Sequence, residues 1–204
     1  LKDKFLIVTC ETKIDFKEYD ETYFIIGVER GCLDLIKKNI CIDLAVSDFD
    51  QINAKELKLI QGYAKEIEIL KFEKDLLDGT VALEIAYKLG AKEIVFIAKP
   101  TARIDMNLSV IELCYKYRAV LLNDNSIVYC LTVGKNKIDY LQFLNYKFIT
   151  LFPITSTIIS ISGLKYEVLD LKLSQFSTRA FSNCFNKKNA TITTDRPIMI
   201  IFNK

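Results

Sequence analysis

Asp43, Asp48 and Asp50 put three carboxylates within eight residues, in the stretch Ile42-Asp43-Leu44-Ala45-Val46-Ser47-Asp48-Phe49-Asp50. Leu44, Ala45 and Val46 read as a short buried strand, being small or β-favouring and bounded by polar residues. Asp48 and Asp50 then stand just past its C-terminal end, the edge where an open α/β sheet binds ligands. Positions two apart on an extended backbone point the same way, so both carboxylates can face one hard cation. Asp43, ahead of the run, reads as structural. Acids at a strand end recur twice. Glu73-Lys74-Asp75-Leu76-Leu77-Asp78 follows an alternating run at 67–72, and Lys99-Pro100-Thr101-Ala102-Arg103-Ile104-Asp105 follows an apolar run at 94–98. The chain has no histidine, which excludes a Ser-His-Asp triad, a Cys-His dyad and His-ligated zinc. Its chemistry must rest on carboxylates, Lys, Arg, Tyr or a bound metal.

The elements that position these loops are legible from hydrophobic period. Apolar runs at 5–9, 23–28, 44–46, 67–72, 94–98 and 119–122 read as strands, with helical patterns between them. Asn53-Ala54-Lys55-Glu56 has capping-box spacing and predicts a helix to about residue 64, with Leu57, Ile60 and Ala64 on one face. Asp78 is placed to cap a helix carrying Val81, Ala82, Ile85, Ala86 and Leu89, which Gly90 stops. Asp105 is placed to cap another carrying Leu108, Ile111 and Tyr115. Strand and helix alternating in this way predict a parallel α/β sheet. From residue 123 the pattern changes. Asn123-Asp124-Asn125-Ser126 and Gly134-Lys135-Asn136-Lys137 read as turns, and short alternating runs follow to residue 202. In one of them Leu169, Leu171 and Leu173 are expected on one face. These runs predict a small antiparallel β domain, a sandwich or roll. The expected domains are therefore 1–122 and 123–204.

Composition narrows the class. At 204 residues, half of them hydrophobic, the chain can bury a real core. A net charge of +2 gives no argument for a nucleic-acid or membrane partner. The six cysteines are scattered without CxxC spacing and read as reduced core residues of a cytoplasmic protein. The apolar run at 5–8 is too short for a signal h-region, and no segment approaches the roughly 20 apolar residues of a transmembrane helix.

Taken together, the acidic stretches resemble those of the thiamine pyrophosphokinase family. Ser47-Asp48-Phe49-Asp50 looks like its G-D-F-D-S, Lys74-Asp75-Leu76-Leu77-Asp78 like its K-D-x-T-D, and Ala102-Arg103-Ile104-Asp105 like its G-G-R-x-D-H. Ile26-Gly27-Val28-Glu29-Arg30-Gly31 is similar to its V-D-x-G segment. Gly163-Leu164-Lys165-Tyr166 is similar to G-x-K-Y, and Ser177 with Ser182-Asn183 to G-S…S-N, so the resemblance covers nearly the whole chain.

That resemblance implies a Rossmann-like N-terminal domain, a C-terminal β-roll, a homodimer and an active site between the domains. It also implies Mg²⁺-dependent transfer of pyrophosphate from ATP to the thiamine hydroxyl, with release of AMP. Asp48, Asp50, Asp75 and Asp78 become the metal and phosphate candidates, since hard cations on a triphosphate want oxygen ligands. Lys74 and Arg103 would neutralise charge on the transferred group, and Asp105 would orient Arg103 or take the hydroxyl proton. Ser177, Ser182 and Asn183 would contact thiamine. The departures are Ser47 for glycine, Gln51 for serine, Leu76 and Leu77 inside K-D-x-T-D, Thr101-Ala102 for G-G, Met106 for histidine, Val110 for asparagine and Phe176 for glycine. They leave two other readings, an impaired thiamine-binding homologue and a pyrophosphokinase for another hydroxylated heterocycle.

Overall fold

The computed structural model describes residues 2–71 and 76–204, so Lys74 and Asp75 lie outside the described residues. The chain divides into two compact units, Leu1–Asp124 and Asn125–Lys204.

The first unit carries β1 (Lys4–Val8), α1 (Lys17–Asp20), β2 (Phe24–Gly27), α2 (Arg30–Lys37), β3 (Leu44–Ser47), α3 (Ala54–Tyr63), β4 (Glu66–Ile69), α4 (Asp78–Lys88), β5 (Glu93–Ile97), α5 (Ile104–Lys116) and β6 (Val120–Leu122). Its strands lie in the order β4-β3-β2-β1-β5-β6, all parallel. Central β1 reads Phe-Leu-Ile-Val and is buried on both faces (0–1% exposed), as helices covering both sides of a parallel sheet demand. Edge strand β4 reads Glu-Ile-Glu-Ile and stays largely exposed, its charges blunting the free edge. Asn53 caps α3 in a capping box with Glu56, as its spacing predicts.

The other helix starts differ from expectation. Leu77, not Asp78, is the N-cap of α4, and Arg103, not Asp105, that of α5. Both acids stand inside their helices because their side chains are drawn elsewhere, Asp78 to Ser47 and Asp105 to Arg103. In α5 the buried residues are Leu113 and Cys114, while Leu108 is 58% exposed. α4 buries Ala82, Leu83 and Ala86 and leaves Leu89 exposed.

At the N-terminal edge of this sheet Asp43 clasps three strands. Its Oδ2 accepts the Ile25 N–H at 2.9 Å, its Oδ1 accepts from Lys65 at 2.7 Å, and Lys2 lies 3.7 Å away. Burial pushes this carboxyl up, but the hydrogen bonds from Lys65 and Ile25 and the charges of Lys2 and Lys65 outweigh it and hold it below the ordinary range. A depressed carboxylate stabilises the fold above its unfolded pKa of about 3.9 and loses that contribution as pH falls through the folded value. Urea unfolding of wild type should therefore weaken below about pH 4, and Asp43→Asn should flatten part of that decline. An identical acid slope in the variant would remove Asp43 from the account.

The second unit carries β7 (Ser126–Leu131), β8 (Gly134–Ile138), a 3-10 turn (Leu141–Phe143), β9 (Phe148–Phe152), β10 (Thr157–Ser162), β11 (Val168–Leu173), β12 (Ala190–Thr194) and β13 (Ile198–Asn203). β13 pairs antiparallel with β7 and β9, and a four-stranded antiparallel sheet runs β11-β10-β12-β8. Their shared core includes Leu131, Leu151, Ile159, Ile192, Ile200 and Phe202, with the Phe143 ring stacked on Phe202 at 4.0 Å.

Two expectations fail here. Residues 134–137 are not a turn but most of edge strand β8, whose Lys135, Asn136 and Lys137 are the polar residues a sheet edge carries. Leu169 does not share a face with Leu173. It is 82% exposed, because the register with β10 shifts between Ile159 and Ile161, where Asp170 turns to φ +49°.

Candidate active site

In the first unit β1 to β4 step outward in one direction, and β5 returns to the other side of β1. The reversal at β1/β5 is the switch point at which open α/β sheets hold ligands. A cleft of about 510 Å³ lies there. Thr9 and Cys10 line it from the end of β1, Glu29 and Arg30 from β2, and Ala98 and Lys99 from β5. Gly79 and Thr80 from α4 and Arg103, Met106 and Val110 from the α5 region complete much of the wall. Burial pushes the Cys10 thiol up, so this cleft-lining cysteine is a poor nucleophile.

The carboxylates gather beside β2 and β3. One oxygen each from Glu29, Asp48 and Asp50 lie within 4.8 Å of one another. Asp48 and Asp50 do converge, though not by the expected alternation of an extended strand. Phe49 between them adopts φ +55°, Asp50 N–H bonds back to Asp48 Oδ1 at 3.3 Å, and the chain turns. Glu29 was not among the acids singled out from sequence. It stands between β2 and α2 at φ +48°, ψ −129°, a conformation that costs an L residue on the order of 1–3 kcal/mol and is found where function imposes it. Its position in the Val28-Glu29-Arg30-Gly31 segment, right after a buried run and just before a helix, places an acid at the ligand edge of the sheet, but its meeting with Asp48 and Asp50 follows only from the pairing of β2 with β3.

Ser47 ties the group together. Its Oγ approaches Glu29 Oε1 closely and Asp78 Oδ2 at 2.8 Å, and it accepts the Phe49 N–H at 3.2 Å. One hydroxyl proton cannot serve two carboxylates. Glu29 Oε2 is buried and has no hydrogen-bond partner among the described residues. Burial pushes the Glu29 carboxyl above the ordinary range; the Ser47 hydrogen bond opposes this, and the charges of Asp50, Asp78 and Asp48 add to it. A hard divalent cation satisfies all of these features at once, because it supplies charge to converging carboxylates and a partner to the orphaned oxygen.

Arg103 and Asp105 form an exposed two-point pair, Nε to Oδ1 at 3.2 Å and Nη2 to Oδ2. The Arg103 hydrogen bond holds Asp105 below the ordinary range. Asn107, also missed in the sequence, clamps the backbone of Thr101 through its N–H (2.8 Å) and its carbonyl (2.9 Å), and so steadies the loop that carries Arg103. In the second unit Ser177 is half-buried and Ser182 exposed, the latter at φ +58°. Asn183 is buried. Its amide accepts the N–H groups of Tyr166 (3.0 Å) and Cys184 (2.9 Å) and donates to the Tyr166 carbonyl (2.9 Å).

Two family models match the chain. That for the thiamin pyrophosphokinase catalytic domain covers residues 17–128, and that for the thiamin pyrophosphokinase vitamin B1 binding domain covers 135–199. The thiamine pyrophosphokinase of Bacillus subtilis is 25% identical over 189 residues, 89% of this chain and 87% of that protein. The fold is similar to a thiamin pyrophosphokinase family protein from Enterococcus faecalis, with a TM-score of 0.86 at 21% identity over 98% of this chain and 99% of that one. It is also similar to the thiamin pyrophosphokinase of Candida albicans, with a TM-score of 0.82 at 16% identity over 99% and 89%. The catalytic-domain match alone spans more than half of the sequence, and the chain belongs to the thiamin pyrophosphokinase family.

Proposed function

We propose that the chain transfers the β,γ-pyrophosphoryl group of ATP to the hydroxyl of thiamine, giving thiamine diphosphate and AMP. The hydroxyl oxygen bonds to Pβ, the bond from Pβ to the α–β bridging oxygen breaks, AMP leaves with that oxygen, and the hydroxyl proton is lost. Membership of the family supports the reaction. The observation that carries the site is the convergence of Glu29, Asp48 and Asp50 beside a cleft lined by Arg30, Lys99 and Arg103. Glu29, Asp48 and Asp50, with Asp78 behind Ser47, would hold Mg²⁺, which when bound supplies charge neutralisation to the phosphate oxygens. Lys99 and Arg103 stabilise negative charge on the transferred group and on the departing AMP. Asp105 orients Arg103.

Lys74 and Asp75 enter this proposal on their motif alone. Ser177 and Ser182 are the proposed thiamine contacts from the second unit, while the engaged amide of Asn183 favours a part in shaping the turn that presents them. A homodimer is proposed from the family resemblance. Six cysteines scattered without CxxC spacing support a reducing compartment, which we take to be the cytoplasm.

Purified protein given thiamine, ATP and Mg²⁺ should release AMP and thiamine diphosphate in equal amounts. Asp50→Asn should fall at least about 100-fold short. AMP release no greater than that of the Asp50→Asn protein would sink the proposal.

A further inference from the structure

Ser47 is fully buried at the last residue of β3, where the related motif has glycine. Its single Oγ touches three separate acid-bearing segments: Glu29 after β2, Asp78 at the start of α4, and the Phe49 N–H between Asp48 and Asp50. A glycine makes none of these contacts. We infer that Ser47 is a positioning residue of this chain, its hydroxyl setting the places of Glu29 and of the 48–50 turn so that their oxygens converge on one cation.

Three observations support the assignment. Glu29 holds a strained backbone (φ +48°) and an orphaned buried Oε2, and Ser47 is the one hydrogen-bond partner found for its carboxylate among the described residues. Phe49 holds φ +55° with its N–H on the same hydroxyl oxygen, so the turn that swings Asp50 back beside Asp48 is fixed from Ser47. The residue itself lies at the end of a paired strand, held by the Leu70 N–H on the Ser47 carbonyl at 2.9 Å, and cannot drift. Groups that orient metal-binding carboxylates in this manner change metal affinity about 10–100-fold when removed. The loss of glycine, which looks like decay of the motif, is on this reading a substitution that pre-organises the acids.

This inference rests on the proposed divalent-cation site, and its test is metal binding rather than turnover. Mn²⁺ alone is titrated calorimetrically into the full chain without nucleotide, for wild type, Ser47→Ala, Ser47→Cys and Ser47→Thr. Expected are dissociation constants raised about tenfold in Ser47→Ala and Ser47→Cys, and within about threefold of wild type in Ser47→Thr, which restores the hydroxyl. If Ser47→Ala does not fold, the near-isosteric Ser47→Cys carries the comparison, its thiol being a weak donor. A purely structural role would lower melting temperature without this rescue pattern. Wild-type Mn²⁺ affinity in both Ala and Cys variants, with AMP release by wild type intact, overturns the inference alone. Absence of AMP release with the Ser47 pattern intact overturns the pyrophosphokinase reading alone.

Discussion

Glu29→Gln is expected to slow AMP release about 10²–10³-fold at saturating Mg²⁺, the scale of losing one well-placed electrostatic contact to a transferring phosphoryl group. In the absence of metal the same variant should be more stable than wild type by roughly 1 kcal/mol, a melting temperature higher by about 2–4 °C. Both effects have one cause. Glu29 is 8% exposed, its Oε2 has no partner among the described residues, and the charges of Asp50, Asp78 and Asp48 face it. Without a cation this arrangement opposes folding; with one it becomes the ligand set. Glutamine keeps the length and an oxygen for the Ser47 hydroxyl, and its amide N–H groups can donate toward the neighbouring carboxylates. The apoprotein is relieved and the cation loses a charged ligand. A variant that is both slower and more stable is the signature of a site whose strain is retained for function. Wild-type turnover in Glu29→Gln would remove Glu29 from the ligand set, and a lower melting temperature would overturn the account of its burial.

Glu29 also marks where sequence reading stops. Asp48 and Asp50 are legible because they are near neighbours at the end of one apolar run. Glu29 is as close to them in space, yet it stands eighteen positions before Ser47 in the chain. Only the strand order reveals it: β2 and β3 lie parallel with Gly27 opposite Ala45, so the residue two past Gly27 comes level with Ser47. No local pattern encodes that pairing. Phe49 shows a second limit. A left-handed φ at a phenylalanine runs against its own preference, and the turn that brings Asp50 back is held instead by the Ser47 hydroxyl on the Phe49 N–H and by Asp48 Oδ1 on the Asp50 N–H. The apolar runs of the parallel strands, by contrast, are local, and β1, β3 and β5 fall where the runs at 5–9, 44–46 and 94–98 place them. Gly134-Lys135-Asn136-Lys137 misleads for the opposite reason. A polar edge strand and a polar turn share a composition, and only the pairing of β8 with β12 separates them. Asn183 looks like a ligand-binding amide in its Ser-Asn context, but its partners are the backbones of Cys184 and of Tyr166, seventeen residues upstream.

Gly31→Ala is expected to cost about 3 kcal/mol or more, above the usual 1–3 for overpacking, because the atoms in the way are backbone. A Cβ at Gly31 would lie 1.9 Å from the Val8 carbonyl oxygen, 2.4 Å from its carbon and 2.9 Å from Thr9 N. Val8 O already accepts the Val28 N–H at 2.9 Å, and β1 is fixed between β2 and β5 on both sides. The strand cannot retreat, so α2 must. Lifting α2 uncovers Cys32 and Leu35, both fully buried, and moves Glu29 and Arg30 at its start away from Asp48, Asp50 and the cleft. Stability and cation binding should therefore fall together: a melting temperature lower by on the order of 10 °C, and a Mn²⁺ dissociation constant raised by at least about tenfold in whatever fraction remains folded. Ser47→Ala, in contrast, should weaken Mn²⁺ while leaving the helix seated. Melting of Gly31→Ala within about 3 °C of wild type would mean that β1 or α2 yields more easily than their packing implies. Glycine at position 31 is thus required by the close crossing of α2 over β1, which brings Glu29 to the other two carboxylates.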